Sequence, residues 1–206
     1  MFRDRTDAGR LLADAIGSYA YLPDVIVLGI PRGGVVVAAE VARVLGAPLD
    51  IVVASKLGAP GNPEYAVGAI DADGRVTRDG RLAVSEEYLV TVLEKRRAEI
   101  ARRVAAYRGT RPPLNVQNRT VLLVDDGVAT GLTVRAAIGY LRRHGAKRIV
   151  VAAPVMPPET AAALGEVADE IVALETPRNF SAVGQFYDDF SQTSDAEVIA
   201  LLGDSG

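Results

Sequence analysis

Short, unbroken apolar runs constrain this chain more than any other feature. They are Val25-Ile26-Val27-Leu28, Ile51-Val52-Val53-Ala54, Val121-Leu122-Leu123-Val124, Ile149-Val150-Val151-Ala152-Ala153 and Ile171-Val172-Ala173-Leu174. A strand with no polar side to offer to water must be covered on both faces, which is the condition of a parallel sheet between two helical layers. Helical patterns fill the gaps: residues 35–45 stopped by Gly46, 85–107, 132–143 stopped by Gly145, and 158–164. Strand alternating with helix predicts an α/β fold with a doubly wound parallel sheet. An opening helix is expected before the first strand, capped by Thr6 or Asp7, with Leu11, Leu12, Ala15 and Ile16 on one face and Pro23 ending the segment.

Two stretches break the alternation. Residues 56–80 carry Gly58, Pro60, Gly61, Pro63, Gly68, Gly74 and Gly80, a density that predicts turns and a mobile loop, with a hairpin around Asp73-Gly74. Residues 177–206 are richer in aromatics (Phe180, Phe186, Tyr187, Phe190) and are expected to fold over the sheet as a small C-terminal cap or hood on a core of residues 1–176. The helix at 85–107 starts at the N-cap Ser85 and aligns Leu89, Leu93, Ile100 and Val104. Its basic back half (Lys95, Arg96, Arg97, Arg102, Arg103, Arg108) reads as a solvated face with charge suited to a helix C-terminus.

Composition removes several chemistries. With no Cys and a single His, His144, thiolate catalysis, disulfides and Cys-built metal sites are excluded, and His144 reads as a helix C-cap. A net charge of −3 over 206 residues argues against non-specific nucleic-acid binding. No run is long enough for a membrane span and no signal peptide is read at the start, so a cytoplasmic protein without membrane partners is expected. Apolar helix faces leave room for a homodimer.

In such sheets ligands bind beyond the carboxyl ends of the strands. Two loops there are chemically loaded. Asp125 and Asp126 follow the third apolar run directly, and adjacent carboxylates are costly unless something positive or hydroxyl-rich occupies the space above them. Gly127, Val128, Ala129, Thr130, Gly131 and Thr133 then turn into a helix N-terminus, where backbone N–H groups, the helix dipole and two hydroxyls suit one phosphate. Carboxylates for sugar hydroxyls beside a phosphate cradle describe a receptor for a phosphorylated sugar.

The string from Val121 to Thr133 resembles the phosphoribosyl-pyrophosphate motif of the type I phosphoribosyltransferases. The resemblance implies that Asp125 and Asp126 hold the ribose hydroxyls and touch Mg²⁺ only indirectly, through those hydroxyls or water. It also implies that residues 127–133 bind the 5-phosphate. The loop Gly29-Ile30-Pro31-Arg32-Gly33-Gly34 looks like the family's pyrophosphate loop, with Arg32 adding charge, and Lys56 matches a basic residue near the pyrophosphate. Residues 56–80 sit where the family carries a loop that closes over the site. The Gly29–Gly34 loop together with the string at 58–64 looks like a bacterial subgroup of the family, some members of which are fused to a hydrolase; no Gly-x-Ser-x-Gly elbow occurs here.

The implied reaction is Mg²⁺-dependent transfer of ribose 5-phosphate from phosphoribosyl pyrophosphate to a nitrogenous base acceptor. Ala129 stands where the 6-oxopurine enzymes carry an Asp, and Leu132-Thr133-Val134-Arg135 lacks the Glu of adenine enzymes, so the acceptor is expected not to be a 6-oxopurine and no general base is visible. Phe186 and Tyr187, with Phe180, are candidates to stack on the base or to pack the cap; Asp188 and Asp189 are acceptor contacts or surface charge. A sensor of the same fold that binds phosphoribosyl pyrophosphate without turnover is the alternative. An aspartyl-phosphate receiver would need another acid after the first strand, and Ile30-Pro31-Arg32 supplies none.

Overall fold

The structure is a computed structural model that describes residues 1–78 and 85–203; the side chains of Pro63, Glu64, Tyr65, Glu86 and Leu89 are not among those described. Gly80 and the Leu89 side chain, both invoked above, therefore lie outside the described residues. In chain order the elements are α1 (Arg5–Ala15), β1 (Val25–Gly29), α2 (Gly33–Leu45), β2 (Leu49–Ile51), β3 (Ala54–Ala59), β4 (Asn62–Asp71), β5 (Val76–Arg78), α3 (Glu86–Arg108), β6 (Thr120–Val124), α4 (Leu132–Arg143), β7 (Arg148–Val155), α5 (Pro158–Gly165), β8 (Glu170–Glu175) and α6 (Asp195–Gly203). Short 3₁₀ turns occupy Gly17–Tyr19 and Val183–Phe186.

Five strands form a parallel sheet in the order β2-β1-β6-β7-β8, the expected doubly wound core. The apolar runs divide their residues by strict alternation. Val27, Leu122 and Val150 meet α1, α2 and α6 through Leu12, Val41, Leu45, Val198 and Leu202. Leu28, Leu123 and Val151 meet α4 and α5 through Val134, Ile138 and Leu164. Register brings Gly29 level with Ile51 on one side and with Val124 on the other. The loops after β1 and β6 therefore leave the sheet side by side.

Three expectations change. α1 is capped by Asp4, whose Oδ1 accepts from the Asp7 N–H at 2.7 Å, while Asp7 itself is engaged by Arg3. Its buried face is Ala8, Gly9, Leu12, Ala13 and Ile16; Leu11 and Ala15 are exposed, and the helix ends at Ala15, well before Pro23. The second parallel strand is Leu49–Ile51, shifted toward the N-terminus, because Ala54 already belongs to β3. The stretch expected as turns and a mobile loop is mostly strand: β3, β4 and β5 form a separate antiparallel sheet, seated on α4 through Ala54, Ala66, Ala69, Leu132 and Ala136. The hairpin at Asp73-Gly74 is present, and Asp71 Oδ1 accepts from the N–H groups of Asp73 and Arg75 at 3.0 Å each.

Much of the basic face of α3 is committed to ion pairs. Arg96 and Arg103 pair with Glu99, Arg102 with Asp195, and Arg108 with the buried Asp50 at 3.0 Å. The C-terminal region divides in two. Residues 180–190 form an aromatic hood packed on Phe2, whereas α6 enters the main core through Val198 and Leu202. The hood is tied to the start of the chain: the Phe2 N–H donates to the Phe186 carbonyl, and the Asp188 N–H donates back to the Phe2 carbonyl, both at 2.8 Å.

Candidate active site

Val124 ends β6, and its carbonyl accepts from the Ile30 N–H at 2.9 Å, clamping the two loaded loops together. The Asp126 N–H then donates to Asp125 Oδ1 at 2.9 Å. On the β1 side the close approach needs glycine. A Cβ on Gly34 would lie 2.8 Å from Asp125 Oδ1, and one on Gly33 would lie 2.7 Å from Asp126 Cγ and 2.5 Å from Arg5 Nε. Carbon atoms settle at about 3.5–4.0 Å. The peptide between Pro31 and Arg32 is cis.

The turn after the pair is held from the α5 side, where the Thr160 hydroxyl donates to the Ala129 carbonyl at 2.6 Å. Gly131, at φ +73°, is the N-cap of α4 and brings no capping side chain, so the first N–H groups of the helix face the turn. Above it a cavity of about 470 Å³ is lined by Lys56, Ala66, Asp125, residues 127–134 and residues 181–183. Burial, and then the neighbouring Asp126, push the Asp125 carboxyl well above the usual carboxylate range.

Of the predicted site residues, Asp125, Lys56, Gly127, Val128, Ala129, Thr130, Gly131 and Thr133 line this cavity together. Asp126 lies beside it, paired through Oδ2 with Arg5 Nε at 2.6 Å. Gly33 and Gly34 contact the carboxylates from behind, after Pro31. Arg32 turns away: its Nη1 is 3.8 Å from Asp195 Oδ1, on α6, which also accepts from the Tyr107 hydroxyl at 2.6 Å.

Tyr187 does not offer its face to a base. The ring is buried between Phe2 and Phe190, at centroid distances of 5.4 and 5.0 Å, and its hydroxyl donates to the Asp126 carbonyl at 2.5 Å. Burial and the Asp126 charge push its ionisation far up, so it stays a neutral donor. Phe186 stacks on Phe180 at 5.4 Å, and neither ring lines the cavity. Asp189 accepts from the Ser191 N–H at 2.9 Å, and the Asp188 N–H is taken up by Phe2. His144 is the C-cap of α4, with Nδ1 2.9 Å from the Tyr140 carbonyl.

Sequence reasoning missed Arg5 and the Ser181-Ala182-Val183 wall. Arg5 sits in an ordinary amphipathic helix with no motif to mark it, and the wall carries no charge. A second cavity of about 480 Å³ lies between α3, α4 and the β4–β5 hairpin. Its charged groups are already engaged: Arg108 with Asp50, Arg111 with the Leu202 carbonyl, Asp71 with Arg143. Asp125, Lys56 and residues 127–133 line the first cavity instead.

The phosphoribosyl transferase domain family matches residues 5–191. This chain belongs to that family. The Mycobacterium tuberculosis protein named "Putative phosphoribosyl transferase Rv0571c" is 45% identical to this chain over 206 residues, covering 98% of it and 46% of the relative. The chain thus spans about half the length of the curated relatives it matches so well. "Bifunctional protein PyrR" of Actinobacillus succinogenes is 30% identical, over 66% of this chain and 60% of its own. Among solved structures, TT1426 from Thermus thermophilus superposes with a TM-score of 0.83 at 45% identity, covering 99% of this chain and 98% of that one. The type I phosphoribosyltransferase resemblance of the 121–133 string and the α/β architecture are both borne out.

Proposed function

We propose that this chain transfers ribose 5-phosphate from phosphoribosyl pyrophosphate to a nitrogenous base and releases pyrophosphate. The observation that carries the proposal is the cavity over the α4 N-terminus, with Asp125 and Lys56 both in its wall. The N–H groups and hydroxyls of residues 127–133 take the 5-phosphate, and the carboxylates of Asp125 and Asp126 accept from the ribose hydroxyls. Lys56 and the N–H groups of the Gly33-Gly34 loop supply positive charge for the diphosphate. The bond from ribose C1 to the pyrophosphate oxygen breaks, a bond from C1 to the base nitrogen forms, and that nitrogen gives up its proton to the departing pyrophosphate or to water. The chain contributes position and exclusion of water rather than a covalent bond.

The donor set suits magnesium carried by the substrate. Among the described residues no group of three or more His, Cys, Asp or Glu is gathered to cage a metal, and Mg²⁺ ordinarily keeps its waters and uses one or two carboxylates plus substrate phosphates. Asp125 and Asp126 would hold it through water or ribose hydroxyls, and it would supply positive charge against the departing pyrophosphate.

Ala129 brings no acid to the cavity, which supports an acceptor other than a 6-oxopurine. A second reading, binding without turnover, draws on the same lining: Asp125 is its one acid among the described residues, leaving no separate base for the acceptor. We place the protein in the cytoplasm; no described helix is long and apolar enough to cross a membrane.

The test is thermal unfolding with phosphoribosyl pyrophosphate, with and without Mg²⁺. At a hundredfold excess over Kd the ligand contributes about 2.7 kcal/mol, visible as a rise in Tm. A Mg²⁺-dependent rise followed by pyrophosphate release in the presence of a base supports transfer. A rise with no release for any base supports the binder, and no rise at millimolar ligand overturns both.

A further inference from the structure

Arg5 stands at a junction that the proposed reaction does not use. Its Nε donates to Asp126 Oδ2 at 2.6 Å, its Nη1 donates to the Ser191 carbonyl at 2.7 Å, and its guanidinium carbon lies 3.9 Å from the centre of the Phe190 ring. One side chain therefore joins α1, the acidic pair and the C-terminal hood. The Arg5 side chain is 11% exposed and that of Asp126 15%, so solvent does little to screen the pair. Gly33 leaves the space in which they meet. A surface pair holds two flexible side chains for little gain. This one is fixed by a second hydrogen bond, a stacked ring and a glycine, which is the construction of a group built to hold another in place.

We infer that Arg5 is the positioning residue of the sugar site: it engages one oxygen of Asp126, fixes the carboxylate plane, and leaves the other oxygen to accept from a ribose hydroxyl. The inference rests on the reading of this cavity as a phosphoribosyl pyrophosphate site. Charge also matters. The facing groups are Asp125 next in the chain, Tyr187 from the hood, and Asp189 and Glu197 near the guanidinium, with Lys56 in the lining of the adjoining cavity. Arg5 pairs directly with Asp126, and it offsets one of two adjoining negative charges before any ligand arrives.

The geometry also separates two ligands. A molecule that must place a ribose between the carboxylates depends on Arg5. A bare phosphate, held by the turn at residues 127–133, does not.

The test compares the full-length wild type with Arg5→Met, which keeps the stem over Phe190 and removes only charge and hydrogen bonds, and with Arg5→Lys, which restores the charge. Thermal unfolding over concentration series of phosphoribosyl pyrophosphate with Mg²⁺, and separately of inorganic phosphate, gives each Kd. Arg5→Met is expected to bind phosphoribosyl pyrophosphate about tenfold more weakly, the loss typical of one charge-assisted hydrogen bond. Its phosphate affinity should stay within about twofold, and Arg5→Lys, a point charge without the planar fork, should recover only part of the loss. Equal weakening of both ligands would mean Arg5 only supports the fold, and unchanged phosphoribosyl pyrophosphate binding in Arg5→Met would also overturn the inference. A wild type that binds phosphate but not phosphoribosyl pyrophosphate would instead sink the reading of the cavity, and the positioning role with it.

Discussion

Adding one methyl group at Gly33 should damage the site more than any other single-carbon change. The Cβ of Gly33→Ala would lie 2.5 Å from Arg5 Nε and 2.7 Å from Asp126 Cγ, and closer still to Asp126 Oδ2. Ordinary contact is about 3.5–4.0 Å, so the carboxylate or the guanidinium must retreat by about 1 Å. Neither is the free end of a flexible chain: Arg5 is held by Ser191 and Phe190, and Asp126 by the β6 end. Overpacking of this kind costs about 1–3 kcal/mol. For a chain of this length each kcal/mol moves Tm by about 2–4 °C, so a fall of about 2–12 °C is expected. Calorimetry reads it directly, and phosphoribosyl pyrophosphate affinity should fall with it because the displaced group is Asp126. Gly17→Ala is the control, since nothing lies within 4 Å of its Cβ. If Gly33→Ala matches wild type in both Tm and affinity, the two loops are not packed as described and the reasoning fails.

Asp125→Asn combined with Asp126→Asn should abolish Mg²⁺-dependent phosphoribosyl pyrophosphate binding by calorimetric titration while far-ultraviolet circular dichroism stays native. Arg108→Ala leaves Asp50 buried with only the N–H groups of Ile51 and Leu114 for company; urea titration should show a loss of about 3 kcal/mol. Tyr107 is pushed up from 10.0 to about 12 by burial and by its hydrogen bond to Asp195. A raised folded value means the native state holds the proton longer, so this stability is full below about pH 10 and is lost as pH rises toward 12. Urea midpoints measured from pH 9 to 12 should therefore fall less steeply for Tyr107→Phe than for wild type; parallel curves would refute the assignment.

β1, β6, β7 and α4 were legible in the sequence because burial on both faces leaves an unbroken apolar run, and because glycine stops α4 beside a sharp turn. The Asp125-Asp126 turn was legible for a related reason: its chemistry is local, and all its parts are adjacent in the chain. What failed to show was set at long range. β3 and β4 pair in a stretch so rich in glycine and alanine that turn propensity masks the strand pattern, and Ala54 joins them because a sheet partner claims it. The cap of α1 went to Asp4 because Arg3 had already engaged Asp7. Of the two uses open to Tyr187, stacking on a base or packing the cap, the second is set by Phe2, far away in sequence, which covers its face. Arg5 was silent because its meaning depends on Asp126 and Ser191, and neither is near it in the chain.

That distance has a consequence for the order in which the protein assembles. The five-stranded sheet is complete by Glu175, and every residue of the turn at 127–133 has been made by Thr133. The joint between Arg5 and Ser191 spans 186 residues and needs nearly the whole chain. A growing polypeptide can therefore pair its strands and shape the turn while Asp126 is still loosely held. The contact that closes last joins segments far apart in sequence, the kind whose loop-closure entropy is met late in folding. Competence for the sugar should accordingly lag behind native secondary structure during refolding, making ligand capture a clock for the final closure of the chain.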